Sequence, residues 1–303
     1  MKNKLLLLCC LFILGFGCGV GIRHINNNKT VAIRVSQPQK LIDYDLMSSI
    51  NFISYHLKKQ GYTVLGTSYA GNLYPPSLNR AKHNIFVRAF EPFYDVRIEK
   101  NTQNIFYVER FVRQYKEEFV GYSGYLTSQR NIQKEMFPAI KMHYLPSLAV
   151  PHPLLTPDHQ YDVLYIYETL NAEYTAFLEQ YIKNAKIYGG AAFANLTEQE
   201  RQEELSKAKL VVYIVDTGLK DDADFVPFAV YDIISYGRPI LTNFNPSLAN
   251  VFKNNIFLFN DLADIANETF KALNTPLRIR EERARKAREL LRAKNQDLPD
   301  FFN

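Results

Sequence analysis

The amino-acid sequence predicts an α/β protein with two parallel-sheet domains, and two observations carry that prediction. Short apolar runs rich in β-branched and aromatic residues recur without alternating polar positions, as in strands that are buried on both faces. Amphipathic helical patterns lie between these runs, and strands that alternate with helices form βα units. The chain has 303 residues, 47% of them apolar and 22% charged, which suits two domains of ordinary size and excludes a disordered chain.

Ten apolar runs are predicted strands, five on each side of a proline-rich stretch at 145–159. The runs are 31–35, 62–67, 84–90, 104–108 and 141–145, then 162–167, 185–188, 209–215, 239–242 and 256–259. Because four prolines in 15 residues are typical of a linker, we place one domain at 29–150 and the other at 151–275.

Three predicted helices have recognisable ends or faces. Asp45 is in position to cap a helix that ends near Gly61, and Thr197 with Glu200 has the spacing of a capping box. Residues 261–273 carry apolar side chains at helical spacing. A basic helix and tail are predicted over 276–303.

The net charge of +5 comes from one segment, because residues 278–294 hold eight basic and three acidic side chains. The rest of the chain is balanced, which disfavours a polyanion-binding surface over the whole fold, and we expect no nucleic-acid partner. The basic helix either lies on anionic lipid or is a solvated or domain-packing helix.

Residues 1–28 have the pattern of a signal peptide or a membrane anchor. Lys2 and Lys4 precede eighteen uncharged residues at 5–22, and Cys18 leaves lipidation open as an alternative. All three cysteines lie in this segment, which excludes disulfides and cysteine chemistry in the folded part. The pattern predicts a membrane-associated protein but does not determine the side of the membrane on which the body lies. An active transferase would lie on the cytoplasmic side, and a protein whose segment is cleaved would be periplasmic or secreted.

The order of elements over 183–264 carries a resemblance to a known family. A strand ends in Tyr188-Gly189, a capped helix and another strand follow, and a further helix ends in Gly237-Arg238-Pro239 before a strand. This order resembles the C-terminal half of GT-B glycosyltransferases, with the closest similarity to the "glycosyl transferases group 1" domains that include spore-maturation glycosyltransferase-like proteins. Residues 121–157 resemble the end of the family's N-terminal half. The resemblance implies two Rossmann-like domains that face a cleft.

The resemblance also implies where a nucleotide-sugar donor binds. The family has two acids eight positions apart, which correspond here to Asp224 for the sugar and Asp232 for the ribose hydroxyls. The helix start at Phe225, Val226 and Pro227 would hold the diphosphate electrostatically, with no cofactor and no obligatory metal. Tyr188 and Gly189 complete this predicted donor site. As acids at a cleft surface, Asp224 and Asp232 are expected to contribute little to folding.

The sequence departs from the family at the phosphate site. The segment after the first strand of the second domain, 167–174, contains two glutamates and no basic residue. Arg34, Arg130 and Arg238 are therefore the candidate phosphate partners. His152, in the linker, is a candidate base, although a lone linker histidine is more often solvated. The catalytic residues stay unknown at this stage.

Together these features predict a glycosyltransferase that moves a sugar from a nucleotide-sugar to an envelope glycan or a lipid-linked acceptor. The alternative is a non-catalytic, exported binding protein with the same fold. The export-like N-terminal segment and the lack of a basic residue at the predicted phosphate site favour it. A periplasmic small-ligand binding protein is a third, less favoured interpretation, because it does not account for the Gly-x-Pro element.

Overall fold

The computed structural model describes residues 29–70, 78, 80–88, 103–108, 122, 124–127, 142–144, 148–215 and 226–294. The predicted signal or anchor segment at 1–28 lies outside these residues. Within the described part of the chain, no helix combines the length and the apolar character needed to cross a membrane.

The described strands form two sheets whose strand pairs are all parallel. The first sheet has the order β2-β1-β3-β4-β5-β6 and the second has the order β11-β10-β9-β7-β8. The strands are β1 Thr30–Val35, β2 Thr63–Tyr69, β3 His83–Arg88, β4 Gln103–Val108, β5 Gly124–Thr127, β6 Met142–Tyr144, β7 Val163–Tyr167, β8 Ala185–Gly189, β9 Val211–Ile214, β10 Ile240–Asn243 and β11 Phe257–Phe259. Each of the ten predicted runs overlaps one of these strands, and β5 lies outside all ten.

Eight α-helices connect and cover the described strands. They are α1 Tyr44–Lys59, α2 Ala172–Tyr181, α3 Gly190–Ala194, α4 Glu198–Lys207, α5 Phe228–Ser235, α6 Pro246–Phe252, α7 Ile265–Asn274 and α8 Leu277–Lys294. Short 3-10 turns lie at Gln39–Leu41, Lys253–Asn255 and Leu262–Asp264.

Two helix starts test the sequence-based capping assignments. The capping box of Thr197 and Glu200 is confirmed at the start of α4, with both reciprocal hydrogen bonds present. The assignment of Asp45 as a cap is wrong, because α1 begins two residues earlier than that cap requires. Asp43 is extended and its side chain accepts from the Leu46 N–H at 2.8 Å. Asp45 therefore lies in the first turn, where it is fully buried.

The two sheets share one continuous apolar core, which includes buried residues of both halves. Helix α1 packs directly against α5, where the rings of Phe52 and Phe228 have centroids 5.6 Å apart. Tyr44, at the start of α1, packs edge-on against Phe193 of the second half with centroids 4.9 Å apart. The two halves therefore meet through apolar side chains as well as through the linker.

Helix α8 packs against the second half, as in one of the two alternatives for the basic segment. Its inner face buries Arg280, Ala284, Ala287, Arg288 and Leu291. The guanidinium of Arg288 donates to the backbone carbonyls of Ser235 at 2.7 Å and His152 at 2.6 Å. The helix thus ties the linker to α5, while other basic side chains remain on its exposed face.

Candidate functional site

The strand order of each sheet creates a switch point at its first strand. The chain leaves β1 for β2 on one side and later adds β3 on the other, and it leaves β7 for β8 and later adds β9. Ligands of open parallel sheets bind outside the carboxyl ends of the strands at such points. A ligand site is therefore expected beyond the carboxyl ends of β1 and β7, and the segment that follows β8, the neighbour of β7, borders the same edge of the second sheet.

The segments that follow β1 and β8 approach each other closely at Gly190. A β-carbon placed there would lie 3.2 Å from the Tyr167 carbonyl oxygen and 3.4 Å from Cβ of Asp43. Nearby, the side-chain amide of Asn195 donates to the carbonyl oxygen of Lys40 at 3.3 Å. The carboxyl ends of the two sheets consequently face each other, and glycine is the residue that fits this contact without displacing its neighbours.

A cavity of about 240 Å³ lies where the two segments meet. The first half contributes Gln39, Ile42, Met47, Asn51 and Tyr69, and the second half contributes Ala194, Asn195, Leu196 and Arg201. This position, between two switch points, is the geometry expected of a ligand site. None of the residues assigned to the donor from the sequence lines it.

Arg201 is the one charged residue among those nine, and its guanidinium is held by the second half. It donates to the carbonyl oxygens of Ala194, at 3.0 Å, and Leu196, and pairs with Glu198 at 2.8 Å. Burial raises the pKa of Glu198, but hydrogen bonds from Tyr236, Gln202 and Arg201 outweigh it and leave that pKa lowered. Arg201 therefore shapes the turn after α3 while its charge is balanced.

A polar network runs from the exposed Glu198 inward to the buried Asp232 and Tyr44. His152 stacks on Tyr236 with ring centroids 3.9 Å apart, and its Nε2 lies 2.8 Å from Oδ1 of Asp232. Its Nδ1 lies 3.6 Å from Glu198, which also accepts from the Tyr236 hydroxyl. On the other side, the Tyr44 hydroxyl donates to Oδ2 of Asp232 at 2.8 Å. Asp232 is thus buried, with a partner on each oxygen, rather than at an open cleft surface as expected.

The amino end of α5, predicted to hold a diphosphate, is already in contact with a carboxylate. The N–H of Ala229 donates to Oδ1 of Asp45 at 2.9 Å, across the boundary between the two halves. Pro227 is the N-cap and not the first helical residue, and Val226 before it is buried. Asp45 occupies this helix end because anions are stabilised by the free N–H groups there.

The other residues predicted to bind the donor lie apart from one another. The Tyr188 hydroxyl donates to Glu204 at 3.2 Å, and burial followed by the negative charge of Glu204 raises the pKa of Tyr188 to about 12. Gly189 is the N-cap of α3 and faces the ring of Tyr167. Asp224 and Phe225 lie outside the described residues.

The three arginines proposed as phosphate partners do not converge. Arg34 donates from Nε to the side-chain oxygen of Asn84 at 2.8 Å within the first sheet. Arg238 precedes β10, at the amino end of the second sheet, where it is 2% exposed and donates to the Ala208 carbonyl. Burial lowers the pKa of Arg238 to about 10, and this enclosed position argues against a role in binding phosphate. Arg130 lies outside the described residues.

Sequence reasoning missed the cavity, although one signal was present. Gln39 lies shortly after the buried strand β1, and ligands of open parallel sheets bind beyond the carboxyl ends of strands, whereas Asn195 ends helix α3 and carries no such signal. Their pairing depends on how the two sheets face each other, which neither segment specifies.

Comparison with known proteins supports the fold. No family model matches the chain, and no curated protein matches it. Among solved structures, an alpha-glucosyltransferase (AGT) in complex with UDP aligns with a TM-score of 0.58 and 11% identity, covering 86% of this chain and 95% of that one. The T4 phage beta-glucosyltransferase aligns with a TM-score of 0.51 and 14% identity, covering 88% of this chain and 95% of that one.

The chain has the GT-B fold. This confirms the α/β fold with parallel sheets at the level of architecture. The narrower likeness to the group 1 and spore-maturation proteins has no support, since no family model matches. An alpha-glucosyltransferase bound to UDP and a 13-mer DNA is also similar, with a TM-score of 0.57, 12% identity and coverage of 86% and 94%. The DNA belongs to that complex, and the expectation that this chain has no nucleic-acid partner remains a prediction.

Proposed function

We propose that this protein is a glycosyltransferase that transfers a sugar from a nucleotide-sugar donor, bound between its two sheets. The observation that carries the proposal is the likeness in fold to a UDP-bound glucosyltransferase over 86% of this chain. The cavity between the carboxyl ends of the two sheets supports it, because that is where open parallel sheets bind ligands.

The acceptor we propose is an envelope glycan or a lipid-linked glycan. The uncharged stretch at 5–22 supports this, since a membrane-targeted enzyme meets such acceptors at the membrane surface. The DNA in a similar structure makes duplex DNA the acceptor to test against it. Transfer of labelled glucose from UDP-glucose to membrane extracts, and not to DNA, is the expected result; labelling of DNA alone would overturn this choice.

A non-catalytic binding protein of the same fold is the second candidate, and a specific observation favours it. Both oxygens of Asp232 and the N–H of Ala229 already have partners from the chain itself. Near the β7 switch point, Glu168 accepts from the Tyr213 hydroxyl at 2.6 Å, which adds an acid where phosphates would approach.

Calorimetry on the full-length protein in mild detergent separates the two candidates. A transferase binds UDP and UDP-glucose and releases UDP from UDP-glucose in the presence of acceptor or water. Binding of both compounds without turnover on any acceptor tested supports the non-catalytic protein. Binding of neither one would overturn the transferase proposal.

A further inference from the structure

One side of α8 carries apolar and basic side chains along a single line, the basic-apolar edge of this helix. Ile279, Arg283, Lys286, Leu290 and Lys294 follow one another at steps of four, three, four and four residues, which keeps them on the same side of the helix. Ile279 and Leu290 are 38% and 39% exposed, and Lys286 and Lys294 are exposed as well. At the rise of an α-helix the edge is about 22 Å long, and none of its five residues is acidic.

The neighbours of this edge are aromatic and basic. The guanidinium of Arg283 lies 5.3 Å from the ring centroid of Phe257 on β11. The ammonium of Lys294 lies 5.0 Å from the ring centroid of Tyr231 on α5 and donates to its hydroxyl at 3.0 Å. Lys253 is exposed on the 3-10 turn that packs against α8 and adds a further positive charge. The aromatic contacts hold the long side chains of the edge beside the apolar ones.

The charge of α8 faces outward. Residues 278–294 hold eight basic and three acidic side chains, and Arg280 and Arg288 are buried against the second half. Six basic and three acidic side chains therefore remain on the outer side, a net charge of +3. Lys286 pairs with Glu282 at 2.8 Å, but an exposed pair of this kind is weak, so its ammonium can exchange to another anion. The outer side of α8 is consequently cationic on a protein whose remaining charges balance.

A partner for this edge has to accept apolar side chains and positive charges together. An anionic lipid surface does so, because apolar side chains enter the boundary between headgroups and acyl chains while Lys and Arg stay among the headgroups. A nucleic-acid backbone would neutralise the charges but would leave Ile279 and Leu290 without apolar surroundings. The uncharged stretch at 5–22, which by itself predicts association with a membrane, favours the same partner.

We infer that α8 docks on an anionic membrane surface through its basic-apolar edge, while its inner side holds the helix to the second half. The helix lies along the surface and does not cross it. The inference goes beyond the proposed function and does not depend on sugar transfer, because exposure and charge on α8 carry it.

A single introduced Trp tests this docking, because the chain has none. Leu290→Trp places the reporter on the edge, and Leu170→Trp is the matched control. Leu170 is 52% exposed and precedes α2, which leads to β8 at the opposite end of the second sheet from β11. The full-length proteins are combined with vesicles of phosphatidylcholine, alone or with phosphatidylglycerol, that contain brominated acyl chains as quenchers. Equal melting temperatures establish that each variant is folded.

The emission of the Leu290→Trp protein should shift to shorter wavelength and be quenched only when phosphatidylglycerol is present. The effect should decline in salt, since the Debye length falls from about 10 Å at 0.1 M to about 3 Å at 1 M. Adding Arg283→Gln and Lys286→Gln should lower the docking equilibrium constant roughly fivefold for each charge removed. Lys58→Gln with Lys59→Gln removes the same charge from the exposed end of α1 and should change it little.

Four results would overturn the inference. The first is emission of the Leu290→Trp protein that phosphatidylglycerol does not alter, and the second is an equal shift with phosphatidylcholine alone, which would make the contact independent of charge. The third is equal quenching of the Leu170→Trp control, which would mean that no face is preferred. The fourth is a shift caused by duplex DNA and not by vesicles, which would assign the edge to nucleic acid. Failure of sugar transfer would leave the inference intact, because docking is read from the Trp alone.

Discussion

The carboxylate of Asp232 connects three parts of the chain that are far apart in sequence. Tyr44 lies 188 residues before it and His152 lies 80 residues before it, and each contacts a different oxygen. A buried carboxylate is costly unless hydrogen bonds replace its hydration, and Asp232 is 7% exposed. At the scale of single residues, Asp232 therefore holds α1, the linker and α5 together.

Tyr44→Phe and Asp232→Asn should each destabilise the protein, by about 1–3 kcal/mol, because each leaves a buried polar group without its partner. The double variant should cost less than the sum of the two, since both remove the same hydrogen bond. Urea unfolding of the four proteins measures this. Unchanged stability in Asp232→Asn, with UDP binding weakened roughly tenfold, would restore the ligand role predicted from the sequence.

Glu198 should make the stability of the protein depend on pH in the acidic range. Burial raises its pKa, but the hydrogen bonds from Tyr236, Gln202 and Arg201 prevail, so its folded pKa is below the ordinary 4.5. A lowered folded pKa means that its contribution is present above 4.5 and is lost as the pH falls through the folded pKa. The difference in melting temperature between the unaltered protein and Glu198→Gln should therefore shrink below pH 4.5. A difference that grows on acidification would contradict this sign.

Helices α1 and α5 form the main contact between the two halves at the scale of elements. Phe52 and Phe228 are buried at this contact, and Asp45 of α1 binds the Ala229 N–H at the start of α5. Apolar burial supplies the favourable free energy and the hydrogen bonds set the relative position of the helices. The same contact places the first turn of α1 close to the cavity.

Phe52→Ala should destabilise the protein by about 3–5 kcal/mol, because it removes a large buried ring and leaves a cavity between the two helices. Leu290→Ala on α8 is the control, since Leu290 is 39% exposed and its loss should stay within about 0.5 kcal/mol. Chemical denaturation measures both. A small effect of Phe52→Ala would mean that α1 and α5 do not pack in solution as described.

The whole molecule should unfold in one step, because its two sheets share a continuous core. The chain has no Trp, so a single introduced Trp reports on its own surroundings. Leu41→Trp in the first half and Phe244→Trp in the second are suitable, since these side chains are 51% and 50% exposed. Fluorescence of the two variants should give the same urea midpoint, matching far-UV circular dichroism. Separate midpoints would show that the halves unfold independently.

Local pattern was enough to predict most of the strands of this protein and the start of α4. Strand burial follows from continuous apolar runs such as 209–215, and the start of α4 follows from Thr197 and Glu200, because those interactions lie within a few residues. The domain boundaries at 150 and 275 and the targeting role of 1–28 remain predictions from sequence. The alternation of strands and helices led to the α/β fold, and the resemblance over 183–264 implied the GT-B architecture that solved structures support.

Only the tertiary structure decided which side chains meet. Asp45 was expected at a helix cap and Asp232 at an open cleft, yet both are buried where the two halves pack together. The cavity joins Gln39 to Asn195, which are separated by about half of the chain. Sequence spacing sets the period and the ends of each element, whereas such contacts depend on the packing of α1 against α5. That packing is the collective result of apolar burial over both sheets.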